Sequence, residues 1–204
     1  NVISPFYQIT LVTILINVIL AIGLNLVIGF SGQFSLGHAG FMAIGAYSGA
    51  IIGDKIEGLP GFFAGLFVGM FISIVVALIV GIPTLRLKGD YLAIATLGVA
   101  EIIRILILNM GDLTNGARGI SGISFPFESN MSFIMVLFLI VIVTSIITIN
   151  YIHSSPGRAT IAIREDEIAA ESMGVNATTY KVIAFMIGAA TASIAGSLYG
   201  TYFS

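Results

Sequence analysis

The sequence contains no cysteine, and only 9% of its 204 residues are charged. Without cysteine the chain forms neither a disulfide nor a thiolate metal site, and cysteine usage gives no indication of the redox compartment. The two histidines, His38 and His153, lie far apart in the sequence and match no metal-ligand spacing. We therefore expect no metal site.

Motifs for nucleotide hydrolysis and zinc-dependent peptide hydrolysis are missing as well. The chain has neither the GxxxxGKS/T phosphate-binding loop nor the HExxH motif. The N-terminus lacks the basic region and the cleavage site of a signal peptide. Its first residue is Asn1 rather than methionine, which is expected of a fragment of a longer protein.

Apolar residues make up most of the chain: 57% are hydrophobic, and the mean hydropathy is +1.08. Because about a quarter of the residues in a soluble domain are charged, this composition predicts a membrane protein. Runs of roughly 20 apolar residues are long enough to cross a bilayer as helices. We predict an all-α, polytopic transmembrane protein with about six spans. The predicted spans cover residues 6–28, 36–52, 61–82, 91–109, 131–149 and 182–203.

The second predicted span has two interpretations. Residues 41–52 are too short to cross a bilayer alone, and they follow the small, polar sequence GFSGQFSLGHAG at residues 29–40. Either residues 36–52 span the membrane, or this helix is broken or re-entrant. Membranes tolerate a broken helix only where protein or water surrounds its backbone.

The placement of basic residues predicts the orientation of the chain. Alternating spans put five basic residues on one side of the membrane and two on the other. The larger group is Arg86, Lys88, Arg158, Arg164 and Lys181, and the smaller group is Lys55 and Arg118. By the positive-inside rule, the larger group faces the cytoplasm and the N-terminus lies outside. A re-entrant second segment would break this alternation.

Residues 154–181, which we call the connector, carry seven of the eighteen charged residues, which are 8 basic and 10 acidic. We predict Ser155 as a helix N-cap with Pro156 at the first helical position. The acidic run at 165–167 favours the start of a second helix, Gly174 its end, and Asn176 the cap of the next. Its apolar positions predict a docking surface: Ile161, Ile163, Ile168, Ala169 and Met173.

Glycines recur every four residues in three places. These are Gly45, Gly49 and Gly53, then Gly61, Gly65 and Gly69, and finally Gly196 and Gly200. Such spacing lets helix backbones approach closely. We interpret it as packing within the subunit, with a subunit interface as the alternative.

Four runs of sequence, kept in order, resemble a known family. They are GLNLVIGFSGQFSLGHAGFMAIGAY at 23–47, LRLKGDYLAIATLGVAEIIRILILN at 85–109, NGARGISGI at 115–123 and GRATIAIREDEIAAESMGVNATTYKVIAF at 157–185. Together they resemble the LivM-type permease subunit of branched-chain amino-acid ABC importers. The resemblance implies an inner-membrane subunit of a bacterium or archaeon that pairs with a related second permease. It also implies two cytoplasmic ATPase subunits and an extracytoplasmic substrate-binding protein, with no nucleic acid and no cofactor.

The same resemblance implies a role for the connector. Residues 165–174 resemble the ATPase-contacting loop of the family, and the missing phosphate-binding loop implies that ATP is hydrolysed on another chain. Force must then pass through a protein contact, and a solvated connector is the alternative. The expected ATPase-coupling residues are Arg164, Glu165, Asp166, Glu167, Ile168, Glu171, Met173 and Gly174.

Polar residues within or beside the spans are candidates for a translocation path. They are Asn25, Ser31, Gln33, Ser35, His38, Glu101 and Arg104. Glu101 and Arg104 share a helix face at spacing i, i+3, and we favour an internal ion pair over contact with a passing amino acid. For His38 we favour a backbone hydrogen bond or cap over a gate. Residues 115–123 lie on the predicted outer face, where a binding protein would dock or a plain loop would lie.

Taken together, residues 1–204 are predicted to form a single transmembrane permease domain without catalytic residues. We expect it to move leucine, isoleucine or valine into the cell by alternating access. Members of the family usually continue with further spans, so we expect a C-terminal truncation at Ser204. The alternatives are a related permease for urea or short amides, an ion-coupled transporter using Glu101, or a membrane scaffold.

Overall fold

The computed structural model describes residues 4–87, 89–120, 122, 125–127 and 129–203, with the side chains of 112 and 117 left out. Over these ranges the chain is helical and contains no strand, which confirms the all-α prediction. The long helices are α1 (Pro5–Asn25), α2 (His38–Lys55), α3 (Leu59–Thr84), α4 (Asp90–Asn109), α6 (Asn130–His153) and α9 (Ala177–Phe203). The shorter ones are α5 (Gly111–Thr114), α7 (Ser155–Glu165) and α8 (Glu167–Ser172), together with a π-helical turn (Leu26–Phe30) and a 3₁₀ turn (Gly116–Arg118).

Five helices are long and apolar enough to cross a membrane. They are α1 with its π-helical turn (Pro5–Phe30), α3, α4, α6 and α9. Each coincides with a predicted span, although α9 begins at Ala177, five residues before the predicted start at 182. The predicted Asn176 cap is confirmed, because its side chain accepts a hydrogen bond from the Thr179 N–H at 3.1 Å, and the helix therefore begins before its apolar span.

The second predicted span corresponds to α2, which has 18 residues and is not among these five helices. Its many glycines, together with His38 and Ser48, make it less apolar than the others. The backbone N–H of Leu36, just before α2, donates to Thr96 Oγ1 at 3.0 Å. Thr96 lies six residues inside α4, so irregular backbone extends about 9 Å into the bundle. Protein covers one side of it, because Ser31, Gln33 and Ser35 are buried, whereas Phe34 and Leu36 are 50% and 48% exposed.

Long-range hydrogen bonds show which loops lie at each end of the bundle. At one end, Gln33 Nε2 donates to the carbonyl oxygen of Lys181 at 2.9 Å. At the other end, Asn130 Nδ2 donates to Gln8 Oε1 at 3.1 Å. We call the first the connector end and the second the opposite end.

Helix α2 runs from the connector end to the opposite end. The start of α3, which follows α2 after a short loop, lies at the opposite end, where the ring of Phe62 packs against Phe127 and Phe133. The loops therefore alternate between the two ends, as the positive-inside argument assumed. Lys88, one of the basic residues in that argument, lies outside the described residues.

Helix α9 forms the centre of the bundle and packs against α1, α2 and α3. Its approach to α2 depends on glycine: a Cβ at Gly45 would lie 1.9 Å from the Ser193 carbonyl oxygen, and one at Gly196 would lie 1.9 Å from that of Met42. Gly49, Gly65, Gly69 and Gly200 also face neighbouring helices of this chain. At these six positions the prediction of packing within the subunit is confirmed.

Candidate functional site

The connector is ordered and begins directly at the end of α6. The N-cap of α7 is Ser154, whose Oγ accepts from the Gly157 N–H at 3.2 Å. The predicted cap, Ser155, is wrong by one residue, because Ser154 holds the extended backbone of a cap and Ser155 is already helical. A Cβ at Gly157 would lie 2.0 Å from the Tyr151 carbonyl oxygen, so the turn from α6 into α7 requires glycine at this position.

The second connector helix begins within the predicted acidic run, where Asp166 is the cap, and it ends before Gly174 as predicted. Asp166 has an extended backbone, and its Oδ1 accepts from the N–H groups of Ile168 and Ala169, both at 3.0 Å. Gly174 follows α8 at φ +84°, and its N–H donates to the Glu171 carbonyl at 2.9 Å. These contacts confirm that the connector consists of short, capped helices. The last five residues of the connector, 177–181, form the first turns of α9.

The inner side of the connector is tied to the segment before α2 by Arg164. Arg164 Nη1 donates to the Gly29 carbonyl oxygen at 2.7 Å, and the guanidinium also pairs with Glu165. The aliphatic part of Arg164 covers Gly32, where a Cβ would lie 2.7 Å from Arg164 Cγ. Gly32 has φ +66°, a conformation that favours glycine.

A second tie involves the start of α9. Lys181 Nζ lies 2.7 Å from Glu167 Oε1, with side chains that are 14% and 26% exposed. The carbonyl oxygen of Lys181 accepts the hydrogen bond from Gln33 described above. Ile163, Ala170 and Ala177 form a small buried core beneath α7 and α8. The two connector helices, the start of α9 and the segment before α2 are thus joined by packing and hydrogen bonds.

These ties surround a cleft of about 250 Å³ at the connector end. Its walls come from the segment before α2, the loop between α3 and α4, and the connector, and they include Gln33, Phe34, Leu87, Gly89, Ile163 and Glu167. Gln33 is buried, and its Oε1 has no hydrogen-bond partner among the described residues. The cleft therefore separates part of the connector from the segment before α2.

The outer side of the connector carries apolar side chains that contact no core. Ile168 is 78% exposed and Met173 is 83% exposed, and Glu165 and Glu171 are exposed as well. The eight candidate coupling residues therefore divide into two groups by position. Arg164, Asp166, Glu167 and Gly174 make contacts or caps that hold the connector, while the side chains of the other four face outward.

The candidate path residues also divide into two groups. Gln33, Ser35 and His38 lie together on or next to the irregular segment before α2, with Asn25 exposed on α1 beside Gly29. The buried Nε2 of His38 has no hydrogen-bond partner among the described residues. Glu101 and Arg104 lie elsewhere, on the face of α4 turned away from the other helices, and they are paired at 2.6 Å.

Sequence reasoning missed several residues of this site. It did not identify Gly29, Gly32 or Thr96, and it counted Lys181 only as a charge for orientation. A glycine between Ser31 and Gln33 indicates a special backbone angle, but not which side chain would cover it. Of the predicted docking segment 115–123, residues 121 and 123 lie outside the described residues, and residues 116–118 form the 3₁₀ turn at the opposite end.

Comparison with known proteins adds independent information. The sequence profile of the family described as branched-chain amino acid transport system / permease component matches residues 6–204. The high-affinity branched-chain amino acid transport system permease protein LivM of Salmonella typhimurium strain LT2 is 39% identical over 214 aligned positions, which cover 91% of this chain. The protein of the same name from Escherichia coli strain K12 is 38% identical over the same extent. The chain spans about half the length, 50%, of each of these relatives. No solved structure matches it significantly.

Proposed function

The chain belongs to the family of permease components of branched-chain amino acid transport systems, and on this basis we propose that it acts in an ATP-driven importer of leucine, isoleucine and valine. It is a multi-pass membrane protein related to bacterial LivM. In the proposed system it pairs with a second, related permease in the inner membrane of a bacterium or archaeon. Two cytoplasmic ATPase subunits hydrolyse ATP, and an extracytoplasmic binding protein delivers the amino acid.

The observation that carries this proposal is the two-sided connector. Its outer side exposes Ile168 and Met173 away from the bundle, where a partner subunit can cover them. Its inner side is bonded through Arg164 and Lys181 to the irregular segment before α2. A solvated connector needs neither feature. We assign the outer side to the ATPase and the inner side to the transmission of its movement.

The path of the movement follows from the bonds. A shift of α7 and α8 moves Arg164 and the ion pair between Glu167 and Lys181. Arg164 is bonded to Gly29, and Lys181 is bonded to Gln33. The segment between Gly29 and α2 has no regular hydrogen-bond ladder, so it deforms more easily than the helices on either side. Movement of the connector would therefore change the position of Gln33, Ser35 and His38 near the start of α2. This provides the alternation of access that import requires.

The opposite end is proposed to receive the binding protein. Gly119 and Ile120, which follow the 3₁₀ turn, lie there and line a pocket together with Ala46, Tyr47 and Tyr199. Orientation supports this assignment, because it places the connector with its basic residues in the cytoplasm. The substrate would then enter at the opposite end and leave at the connector end.

Co-purification from native membranes tests the proposal. The parent chain is compared with a double variant, Glu171→Lys with Gly174→Val, and with Glu57→Lys as a control for a charge reversal at the opposite end. We expect an ATPase to co-purify with the parent and with Glu57→Lys, and to be lost from the double variant although that variant still inserts. Absence of any ATPase from the parent preparation would overturn the importer assignment and favour ion-driven uptake.

A further inference from the structure

The charged pair on α4 lies at mid-depth of its helix. Glu101 follows the first residue of α4, Asp90, by eleven positions, which places it about 16 Å along a helix of about 30 Å. Its side chain is 50% exposed and that of Arg104 is 62% exposed. The buried face of α4 lies on the other side of the helix and consists of Leu92, Ala93, Thr96 and Ile103. The pair is therefore presented to whatever surrounds this part of the protein.

The pair has hydrogen-bonding capacity left over. Arg104 donates from Nε to both oxygens of Glu101 and from Nη2 to Oε1, at 2.6–3.1 Å. Neither side chain bonds to any other described residue of this chain. A guanidinium has five N–H donors and a carboxylate has about four acceptor positions. Donors on Nη1 and acceptor positions on the Glu101 carboxylate thus remain open on the same face.

A helix face with unsatisfied ionised groups is poorly suited to contact with lipid. Ionised groups at membrane depth are found facing protein interiors or water-filled cavities, because hydrocarbon cannot satisfy their hydrogen bonds. The neighbours of the pair on the same face are apolar: Leu97 is exposed four residues before Glu101, and Ile105 is exposed one residue after Arg104. Gly98 is exposed beside Leu97, and no atom of a neighbouring residue lies within 4 Å of the place that its Cβ would take, so the space there is open.

We propose that this face of α4 is a substrate-contacting site that holds an aliphatic amino acid by its backbone charges. The ammonium group would bond to the free positions of the Glu101 carboxylate, and the carboxylate would bond to the free N–H groups of Arg104. The aliphatic side chain would lie against Leu97, in the open space beside Gly98. This inference deepens the proposed function and rests on it.

Charge complementarity favours a zwitterion over other occupants. The site presents one positive and one negative group side by side. An α-amino acid carries an ammonium group and a carboxylate at a similar spacing, so each of its charges can face a group of opposite sign. The two dipoles can lie antiparallel, so the ion pair need not break when the substrate arrives. A free anion or a free cation would meet one attractive and one repulsive group. An apolar helix of a partner subunit would leave the open donors and acceptors unsatisfied.

Cysteine labelling tests the site directly, because the natural chain has no cysteine. Leu97→Cys is placed on the proposed site. Ile79→Cys, on the exposed face of α3 five residues from the end of the helix, serves as a lipid-facing control at similar depth. The complete importer is reconstituted in vesicles and treated with a water-soluble thiol reagent during ATP turnover, with and without L-leucine.

We expect Leu97→Cys to be labelled and L-leucine to slow its labelling about tenfold, while Ile79→Cys stays unlabelled. 4-Methylpentanoate, which keeps the aliphatic chain and the carboxylate but lacks the ammonium group, should not protect. Absence of labelling at Leu97→Cys, or labelling that L-leucine leaves unchanged, would overturn the proposal and leave this face as a buried contact with a partner subunit.

Charge variants separate a substrate site from a structural ion pair. Glu101→Gln and Arg104→Gln should each lower L-leucine uptake per ATP hydrolysed about tenfold, because each removes a charge-assisted hydrogen bond to the substrate. The reversed pair, Glu101→Arg with Arg104→Glu, restores an ion pair on the helix but offers an L-amino acid its charges in the wrong order. Recovery of uptake in the reversed pair would refute a substrate site.

If the parent importer hydrolyses ATP but takes up no leucine, the proposed function itself fails, whatever the variants do.

Discussion

Arg164 donates a hydrogen bond from Nη1 to the carbonyl oxygen of Gly29, which lies 135 residues earlier in the chain. The bond joins the connector to the π-helical turn that ends α1, and the same side chain covers Gly32. Gln33 forms a second bond in this region, to the carbonyl oxygen of Lys181 at the start of α9. The movement proposed for the connector therefore has a defined route to the irregular backbone before α2. Four predictions follow from the geometry around this route and around the helix core.

Removing the Arg164 side chain should uncouple ATP hydrolysis from transport. Arg164→Ala loses the bond to Gly29 but leaves the outward-facing Ile168 and Met173 in place. We expect the ATPase subunits to bind as in the parent, while leucine uptake per ATP hydrolysed falls several-fold. Arg158→Ala is the matched control, because the Arg158 side chain bonds only to the nearby His153 carbonyl among the described residues. Loss of ATPase binding in Arg164→Ala would contradict a transmitting role.

A side chain at Gly32 should push the connector away from the bundle. In Gly32→Ala the new Cβ would lie 2.7 Å from Arg164 Cγ on a backbone with φ +66°. Gly119→Ala, at φ +70° and at the opposite end, carries the same kind of backbone strain, about 1–2 kcal/mol, but has no atom of a neighbouring residue within 4 Å of its new Cβ. Limited proteolysis of the connector should therefore be faster in Gly32→Ala than in Gly119→Ala. Equal rates would show that contact with Arg164 does not hold the connector.

The outward apolar side chains should contribute to ATPase binding and not to folding. Ile168→Ser and Met173→Ser remove exposed side chains, so the thermal stability of the purified chain should change by no more than about 0.5 kcal/mol. Co-purification of the ATPase should decrease strongly. Ile163→Ala is the contrasting variant, because Ile163 is buried under α7 and its truncation should destabilise the connector by about 2–4 kcal/mol. Unchanged ATPase recovery with both serine variants would argue for a solvated outer side.

Close packing of α2 on α9 should make Gly45 and Gly196 intolerant of any side chain. Gly45→Ala would place its Cβ 1.9 Å from a backbone oxygen of α9, which forces the two helices apart. We expect loss of the folded protein, measured as recovery of monodisperse protein after detergent extraction. Gly111→Ala, where no atom lies within 4 Å, should be recovered like the parent. Normal recovery of Gly45→Ala would mean that the helices separate more easily than this packing implies.

Much of the fold could be predicted because it depends on local features. Apolar runs of sufficient length predict spans, and a cap such as Asn176 acts on an N–H group three residues away. An error of one residue arose at Ser154, because two serines stand side by side there and either could have been the cap. The candidate coupling segment could be located for the same reason, since it is the longest polar interval in an apolar chain.

Only the tertiary structure decided which residues meet. Arg164 could have faced solvent like Glu171, and nothing within its own helix indicates Gly29 as its partner. Helix α4 is apolar around most of its surface, so its sequence does not indicate whether Glu101 and Arg104 face the bundle or its surroundings. Packing settled this by burying Leu92, Thr96 and Ile103 instead. Spacing along one helix determines which side chains share a face, whereas the neighbour of that face depends on helices that are distant in sequence.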